Sequence, residues 1–375
     1  MAGLHLITCE FPPLVGGVSE HSRVLAEAAV ARGHDVQVWT GHDAAGSPGI
    51  RVSRVFGDFS RSDLARADAA LDACPAPRRV VVQWVPHGYG CKGLNVAFAA
   101  WLRRRARAGD RIDLVVHEPF MDFFGRSWFQ PAIALVQRYM TWSAVRSAER
   151  VWLTIPGWEA RLRFARRRGQ PAPRTLPVPG AVPVAHDADA VSALRLDLRR
   201  GRRYLLGYFG DDHAFARDAL TETLRGLSGH LDAAFVCIGR GSGTLAAAVR
   251  TAVPASMIPL YATGQLPRRV LSHHLQACDA LVQPYPDGVS GRRTTTISAL
   301  EHGVPVITTV GALSEPFWRE SRAVEAVLAA DSAALAGAVR RMLEPARHAA
   351  ARHAALALYR ERFDPIQTMD ALLSL

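Results

Sequence analysis

Arg292 and Arg293 stand directly before three consecutive threonines, Thr294, Thr295 and Thr296, in a chain of 375 residues. Two guanidiniums beside a helix start suit an anion. The first amides of a helix lack an intrahelical partner, the dipole is positive there, and an arginine fork matches phosphate oxygens. The surrounding segment, LVQPYPDGVSGRRTTTISALEHGVPVITT (residues 281–309), reads as an apolar strand ending at Gln283 and a loop with Pro284, Pro286 and Gly288. A helix then runs to a stop at Gly303, before another apolar strand. Thr294 is the expected N-cap, aiming the amides of Thr295 and Thr296 outward. A diphosphate fits such a site; a capped helix with two surface arginines is the plain alternative.

A second anion geometry lies at residues 11–39, FPPLVGGVSEHSRVLAEAAVARGHDVQVW. Gly16 and Gly17 open a helix with apolar positions at Val24, Leu25, Ala28 and Ala29, and Gly33 stops it before a strand at Val36, Val38 and Trp39. The turn is not G-x-G-x-x-G, so a dinucleotide oxidoreductase fingerprint is absent.

Both segments need elements to position them. Apolar strands at residues 4–7, 36–39, 80–85, 112–117 and 151–154 alternate with helical stretches in the first half. The second half repeats the pattern with strands at 204–209, 233–239, 280–283 and 304–309. Such alternation predicts parallel sheets covered on both faces. The expected architecture is α/β, with two doubly wound Rossmann-like domains facing across a cleft. Residues 1–178 would form the first domain, 179–203 a linker containing a basic helix, and 204–355 the second domain. Residues 356–375 read as a C-terminal helix returning toward the first.

Composition narrows the function. Hydrophobic residues make up 49% of the chain, and mean hydropathy is near zero. The apolar runs fall short of the roughly 18 residues of a membrane span. The first strand begins within five residues of Met1, so no signal peptide is visible and a cytoplasmic protein is the expectation. The five cysteines are scattered and lack C-x-x-C spacing, as neither a disulfide framework nor a zinc site would require. Lys92 is the only lysine among 45 basic residues, so the net charge of +11 reflects an arginine bias typical of a GC-rich genome. Clusters such as Arg103, Arg104, Arg105 and Arg107 read first as solvated helix faces. Attraction to an anionic membrane surface is a second reading, and nucleic-acid binding is disfavoured because no such motif accompanies the charge.

Taken together with HEPF at residues 117–120 and TGQL at 263–266, the two segments resemble the family 4 glycosyltransferases of the GT-B fold, in order and over essentially the whole chain. The resemblance implies transfer of a hexosyl group from a nucleotide-sugar donor with retention at the anomeric carbon, without metal or other cofactor. It implies an acceptor that is a glycan, a lipid-linked molecule or a small molecule. Gly16 and Gly17 would approach the donor phosphates, and His117 would contact the transferred sugar. Arg217, in GDDHAFARDAL, stands where the family has a phosphate-binding lysine, alongside Arg292, Arg293, Thr294 and Thr295. Thr263, Gly264, Gln265 and Leu266 correspond to the loop framing the base.

Departures from the family pattern bear on the donor. Counting back from Gly303, Ser290 and Ser298 occupy positions where the family carries glutamates, the second of which binds the ribose. A serine makes fewer and weaker hydrogen bonds than a carboxylate. Asp287, three residues earlier, would recover part of the first glutamate's role toward the sugar. Asp212 stands where an arginine is usual. The implied chemistry is charge handling: arginines and amides stabilise the departing diphosphate, the acceptor attacks from the same face, and the leaving phosphate takes its proton. His117 or His21 could instead be hydrogen-bonded core histidines. Glu301 reads as a solvated helix residue. The aromatic-rich stretch 120–142 suits an acceptor platform or ordinary helix packing. A non-catalytic scaffold with the same fold and a nucleotide-sugar epimerase are the competing functions; an epimerase needs an acidic catalytic set that the sequence does not display.

Overall fold

The computed structural model describes residues 3–44, 46–123, 128–253 and 258–374. The chain divides into two compact units, Met1–Pro179 with Pro365–Leu375, and Gly180–Asp364.

In the first unit, strands and helices follow in the order β1 (Leu4–Ile7), α1 (Gly17–Ala31), β2 (Val36–Trp39), β3 (Ile50–Ser53), α2 (Arg61–Asp72) and β4 (Arg79–Trp84). Then come α3 (Val96–Arg107), β5 (Arg111–Val116), α4 (Gln130–Ser147), β6 (Arg150–Leu153), α5 (Trp158–Leu162) and β7 (Arg174–Thr175). All strands are parallel, in the order β3-β2-β1-β4-β5-β6-β7. The central strands read Leu-His-Leu-Ile and Val-Val-Val-Gln-Trp because both faces are covered. Leu4, Leu6, Val36, Val81 and Val115 pack with Leu25 and Ala29 of α1.

The second unit begins with α6 (Ala188–Arg199), which packs against α9 (Arg268–Ala277). Arg195 and Arg199 both pair with the buried Asp279, which ties the basic helix to this unit. From β8 (Tyr204–Phe209) the chain runs through α7 (Ala214–Leu227), β9 (Ala233–Ile238), α8 (Ser242–Ala252) and β10 (Leu260–Ala262) to α9. It continues through β11 (Ala280–Gln283), α10 (Thr294–Glu301), β12 (Val306–Val310), α11 (Phe317–Glu320), β13 (Val324–Leu328), α12 (Leu335–Met342) and α13 (Pro345–Arg362). The sheet is again parallel, in the order β10-β9-β8-β11-β12-β13. Helix α14 (Pro365–Leu373) groups with the first unit, where Met369 and Leu372 enter its core.

In each sheet the chain winds outward from the first strand, then returns to start again on that strand's other side. The reversal falls between β1 and β4, and between β8 and β11. Loops leaving the carboxyl ends of such neighbours diverge and leave a crevice between them.

Candidate functional site

The crevice of the second unit contains a pocket of about 480 Å3. One wall comes from the end of β8 and the loop after it: Tyr208, Phe209, Gly210, Asp211 and His213. The other follows β11 and contributes Tyr285, Pro286, Arg292, Arg293, Thr294 and Thr295. The start of α10 differs from the sequence expectation in one respect. Arg293, not Thr294, is the N-cap, and its side chain makes no capping bond to the helix. Thr294 is therefore the first helical residue. The first helical bond runs from Ile297 N–H to Arg293 O, so the amides of Thr295 and Thr296 precede the ladder.

Asp287 holds both arginines, pairing with Arg292 at 3.1 Å and with Arg293. The Arg293 guanidinium lies 4.5 Å from the Tyr285 ring centre. The Tyr285 hydroxyl bonds the Thr295 and Thr296 hydroxyls, each at 2.8 Å, and burial pushes that phenol's pKa up. His213 caps α7: its Nδ1 accepts from Ala216 N–H at 3.1 Å. An accepting Nδ1 leaves the ring proton on Nε2. Burial, with the Arg293 charge adding, lowers the His213 pKa and keeps the ring neutral. Two helix N-termini, two guanidiniums and a neutral N–H donor thus border one pocket.

Arg217 is placed differently. It sits on the first turn of α7, and its Nε meets Asp212 Oδ1 at 2.5 Å while Nη2 meets Oδ2. It is not among the pocket's lining residues. The aspartate that departs from the family pattern is therefore the partner of this arginine.

The loop between β11 and α10 is latched from behind. Gly288 has φ +87°, and a Cβ there would strike the Gly311 amide, so only glycine allows the loop to lie against the end of β12. Gly291 N–H donates to both carboxylate oxygens of Glu315, at 3.1 and 3.2 Å, and Trp318 Nε1–H donates to Oε2 at 2.8 Å. Burial raises the Glu315 pKa above its ordinary 4.5. The proton is thus held more tightly in the folded chain. The stability this group contributes is full below pH 4.5 and declines as pH rises through the raised value. Glu315→Ala should cost about 2–4 kcal/mol by leaving two donors unmatched. Glu315→Gln should melt below the wild type by a margin that narrows as pH rises from 4.5, measured by thermal denaturation.

The remaining second-unit candidates are more enclosed. Ser290 is fully buried, its Oγ has no partner, and its carbonyl accepts from Arg293 N–H at 2.9 Å. Ser298 is also buried, and its Oγ accepts from Ala181 N–H at 3.3 Å. Glu301 is not a solvated helix residue: its carboxylate bonds Tyr359, and a Cβ at Gly180 would collide with it. The Thr263–Leu266 loop is pinned to the start of α8. Gly264, at φ +66°, donates to Ser242 Oγ at 2.9 Å, and Thr263 Oγ1 donates to the Gly264 carbonyl at 2.8 Å. Gln265 is exposed and Leu266 partly so.

In the first unit, Gly16 is the extended N-cap of α1, and Gly17 the first residue of the helix. A side chain at Gly16 would collide with the Glu10 carboxylate. His117 follows β5 directly. Its Nε2–H donates to Gln83 Oε1 at 2.6 Å, and Trp158 Nε1–H holds its carbonyl at 2.8 Å. His21 Nδ1–H donates to the same Gln83 oxygen at 3.0 Å, and the two imidazoles meet edge to face at 4.8 Å. Burial pushes the His21 pKa down to about 4. Gln83, the one polar side chain inside VVVQWV, orients both rings, and that interruption was the available signal for it. His213, Tyr285 and Glu315 were also absent from the sequence reading. Among the described residues no group of three or more His, Cys, Asp or Glu could hold a metal, and no helix is long and apolar enough to cross a membrane.

The whole chain matches solved structures of sugar transferases. Sucrose-phosphate synthase from Thermosynechococcus elongatus aligns over 99% of this chain and 97% of its own, with a TM-score of 0.72 at 19% identity. WaaG, a glycosyltransferase involved in lipopolysaccharide biosynthesis, gives 0.67 at 15% identity over 99% and 100%. HepE from Anabaena, solved with UDP-glucose, gives 0.68 at 15% identity over 99% and 98%. The chain has the GT-B fold. No protein-family model matches it, and no characterised protein matches it in sequence. Within the GT-B fold the pocket described above belongs to the second Rossmann-like unit, at that unit's own point of strand reversal.

Proposed function

We propose that this chain is a retaining, metal-independent glycosyltransferase that moves a hexosyl group from a nucleotide-sugar donor to a hydroxyl acceptor. The observation that carries the reading is the β8/β11 pocket, where Arg292, Arg293 and the first amides of α10 meet the capped start of α7. The diphosphate lies against these groups, so negative charge building on it during sugar–phosphate cleavage meets fixed positive charge. His213 Nε2–H is an added donor, and Asp287 receives a sugar or ribose hydroxyl once an arginine turns to phosphate. Ser290 stays enclosed behind the loop, and the Thr263–Leu266 loop frames the base. His117, with its ring held by Gln83, positions the transferred sugar, and Gly16 and Gly17 leave room for phosphate. The acceptor proton passes to the leaving phosphate. HepE was solved with UDP-glucose, which favours uridine diphosphate sugars as the first donors to test.

Incubation with a panel of nucleotide-sugars should release nucleoside diphosphate with one donor, and the product's anomeric proton should show the donor's configuration by NMR. Binding of no nucleotide would leave a non-catalytic scaffold, and interconversion of sugars without transfer an epimerase.

Ser298 gives a sharper expectation. Its Oγ already accepts from Ala181 N–H, and no carboxylate stands at this position. A missing ribose hydroxyl therefore leaves no buried charge unpaired. Ribose and 2′-deoxyribose donors should differ by less than about tenfold in kcat/KM, equivalent to about 1.4 kcal/mol. A thousandfold penalty would assign the ribose to another group.

A further inference from the structure

The solvent-facing side of α4 is made of residues poorly suited to water alone. The helix contains no aspartate or glutamate. Leu135, Tyr139 and Trp142 fall on one face by their spacing, with Leu135 63% and Tyr139 50% exposed. Just before the helix, Trp128 is 91% and Phe129 50% exposed. The Tyr139 and Trp142 rings stack at 5.8 Å, and Arg146, one turn further on, lies 5.2 Å from the Trp142 ring centre.

This stripe runs into a pocket of about 520 Å3 lined by Arg103 and Arg107 of α3, Arg146 of α4, and Arg167. None of these four arginines has an ion-pair partner among the described residues. The acids beside them are engaged elsewhere. Asp110 binds Arg78 and Arg105, each at 2.7 Å, and Glu149 binds Arg111 at 2.7 Å. An exposed aromatic stripe therefore ends in four uncompensated cations.

We propose that this face docks on the surface of a bilayer that carries anionic lipid headgroups. Tyrosine and tryptophan favour the headgroup boundary, and an amphipathic helix lies in its plane. Arginines at its edge draw on the negative surface potential. A second copy of this chain is the less suited occupant, because it brings the same four cations against themselves. A small soluble anion fills the pocket but leaves the stripe, about 16 Å from Leu135 to Arg146, uncovered. The inference is independent of the donor pocket.

Cosedimentation of the full chain with phosphatidylcholine vesicles, with and without phosphatidylglycerol, tests it. The chain should pellet with the anionic vesicles, and added salt should release it. Arg103→Gln combined with Arg107→Gln should lower partitioning by about 20-fold or more. Leu135→Ser combined with Tyr139→Ser should lower it as well, with melting temperatures unchanged in both variants. Equal partitioning into both lipids, or insensitivity to both variants, overturns the proposal. So does self-association in analytical ultracentrifugation that Tyr139→Ser abolishes, which would give the face to a second copy. A melting temperature raised by glycerol phosphate without vesicle binding would reduce the pocket to a small-anion site.

Discussion

Replacing Arg293 by alanine is expected to weaken nucleoside diphosphate binding by about 10- to 150-fold, the range given by losing a charge-assisted bond of roughly 1.5–3 kcal/mol. The side chain is only 26% exposed, lies over the Tyr285 ring and borders the first turn of α10. Packing thus confines the side chain beside the pocket, and a phosphate oxygen takes the guanidinium over from Asp287. Isothermal titration with the wild type and Arg293→Ala measures the change, and an equal dissociation constant would remove Arg293 from the site. Arg217→Ala makes the natural comparison. Arg217 is forked onto Asp212 and lies outside the pocket wall, so its loss should matter less to affinity than that of Arg293.

His117→Ala should lower kcat by about 100-fold or more while nucleoside diphosphate affinity stays near the wild-type value, as for the loss of one preorganised hydrogen-bonding group at a reacting centre. The reason is positional. Gln83 fixes the His117 ring through a 2.6 Å bond, and His21 packs edge-on against it. Turnover and diphosphate titration together check this: parallel loss of both, or a large fall in melting temperature, would mark a structural histidine. A pH scan adds a separate signature. His21 resists protonation down to about pH 4, so stability from this cluster is full above 6.5 and falls as pH drops from there.

The legibility of this chain followed burial. The strands that the sequence announces as apolar runs, such as VVVQWV and YLLGYF, are interior members of the two sheets, covered on both faces. The four that it does not announce are β3, β7, β10 and β13, and each is a sheet edge. Three of these edge strands, β3, β7 and β10, are half exposed or only two or three residues long, so periodicity has little to register. The fourth, β13, is mostly buried, but its apolar run is interrupted by Glu325. The β8/β11 pocket divided in a similar way. Arg292, Arg293, Thr294 and Thr295 are consecutive and sit at a helix start, which a sequence displays directly. Tyr285 belongs to the same loop, but its bonds to the threonine hydroxyls are not written in the sequence. His213 and Glu315 come from the start of α7 and the segment before α11, and only the sheet order brings them there. Ser290 and Ser298 were legible as positions, but their burial and their partners were not.

Asp287 engages both guanidiniums of the pocket at once. An anion bound as proposed would therefore not add to bare cations. It would exchange with a carboxylate tethered to the same loop. Chloride or a lone carboxylate offers Arg292 and Arg293 nothing that Asp287 does not already supply, and the tether gives Asp287 the advantage of local concentration. A diphosphate brings more charge and enough oxygens to take the arginines and the α10 amides together. In the proposed function the exchange would lower affinity for every ligand but lower it most for monovalent ones, so the ion pair would act as a valence filter. It would also release a carboxylate beside the bound ligand, an acceptor that comes into use only after the proposed diphosphate has displaced it.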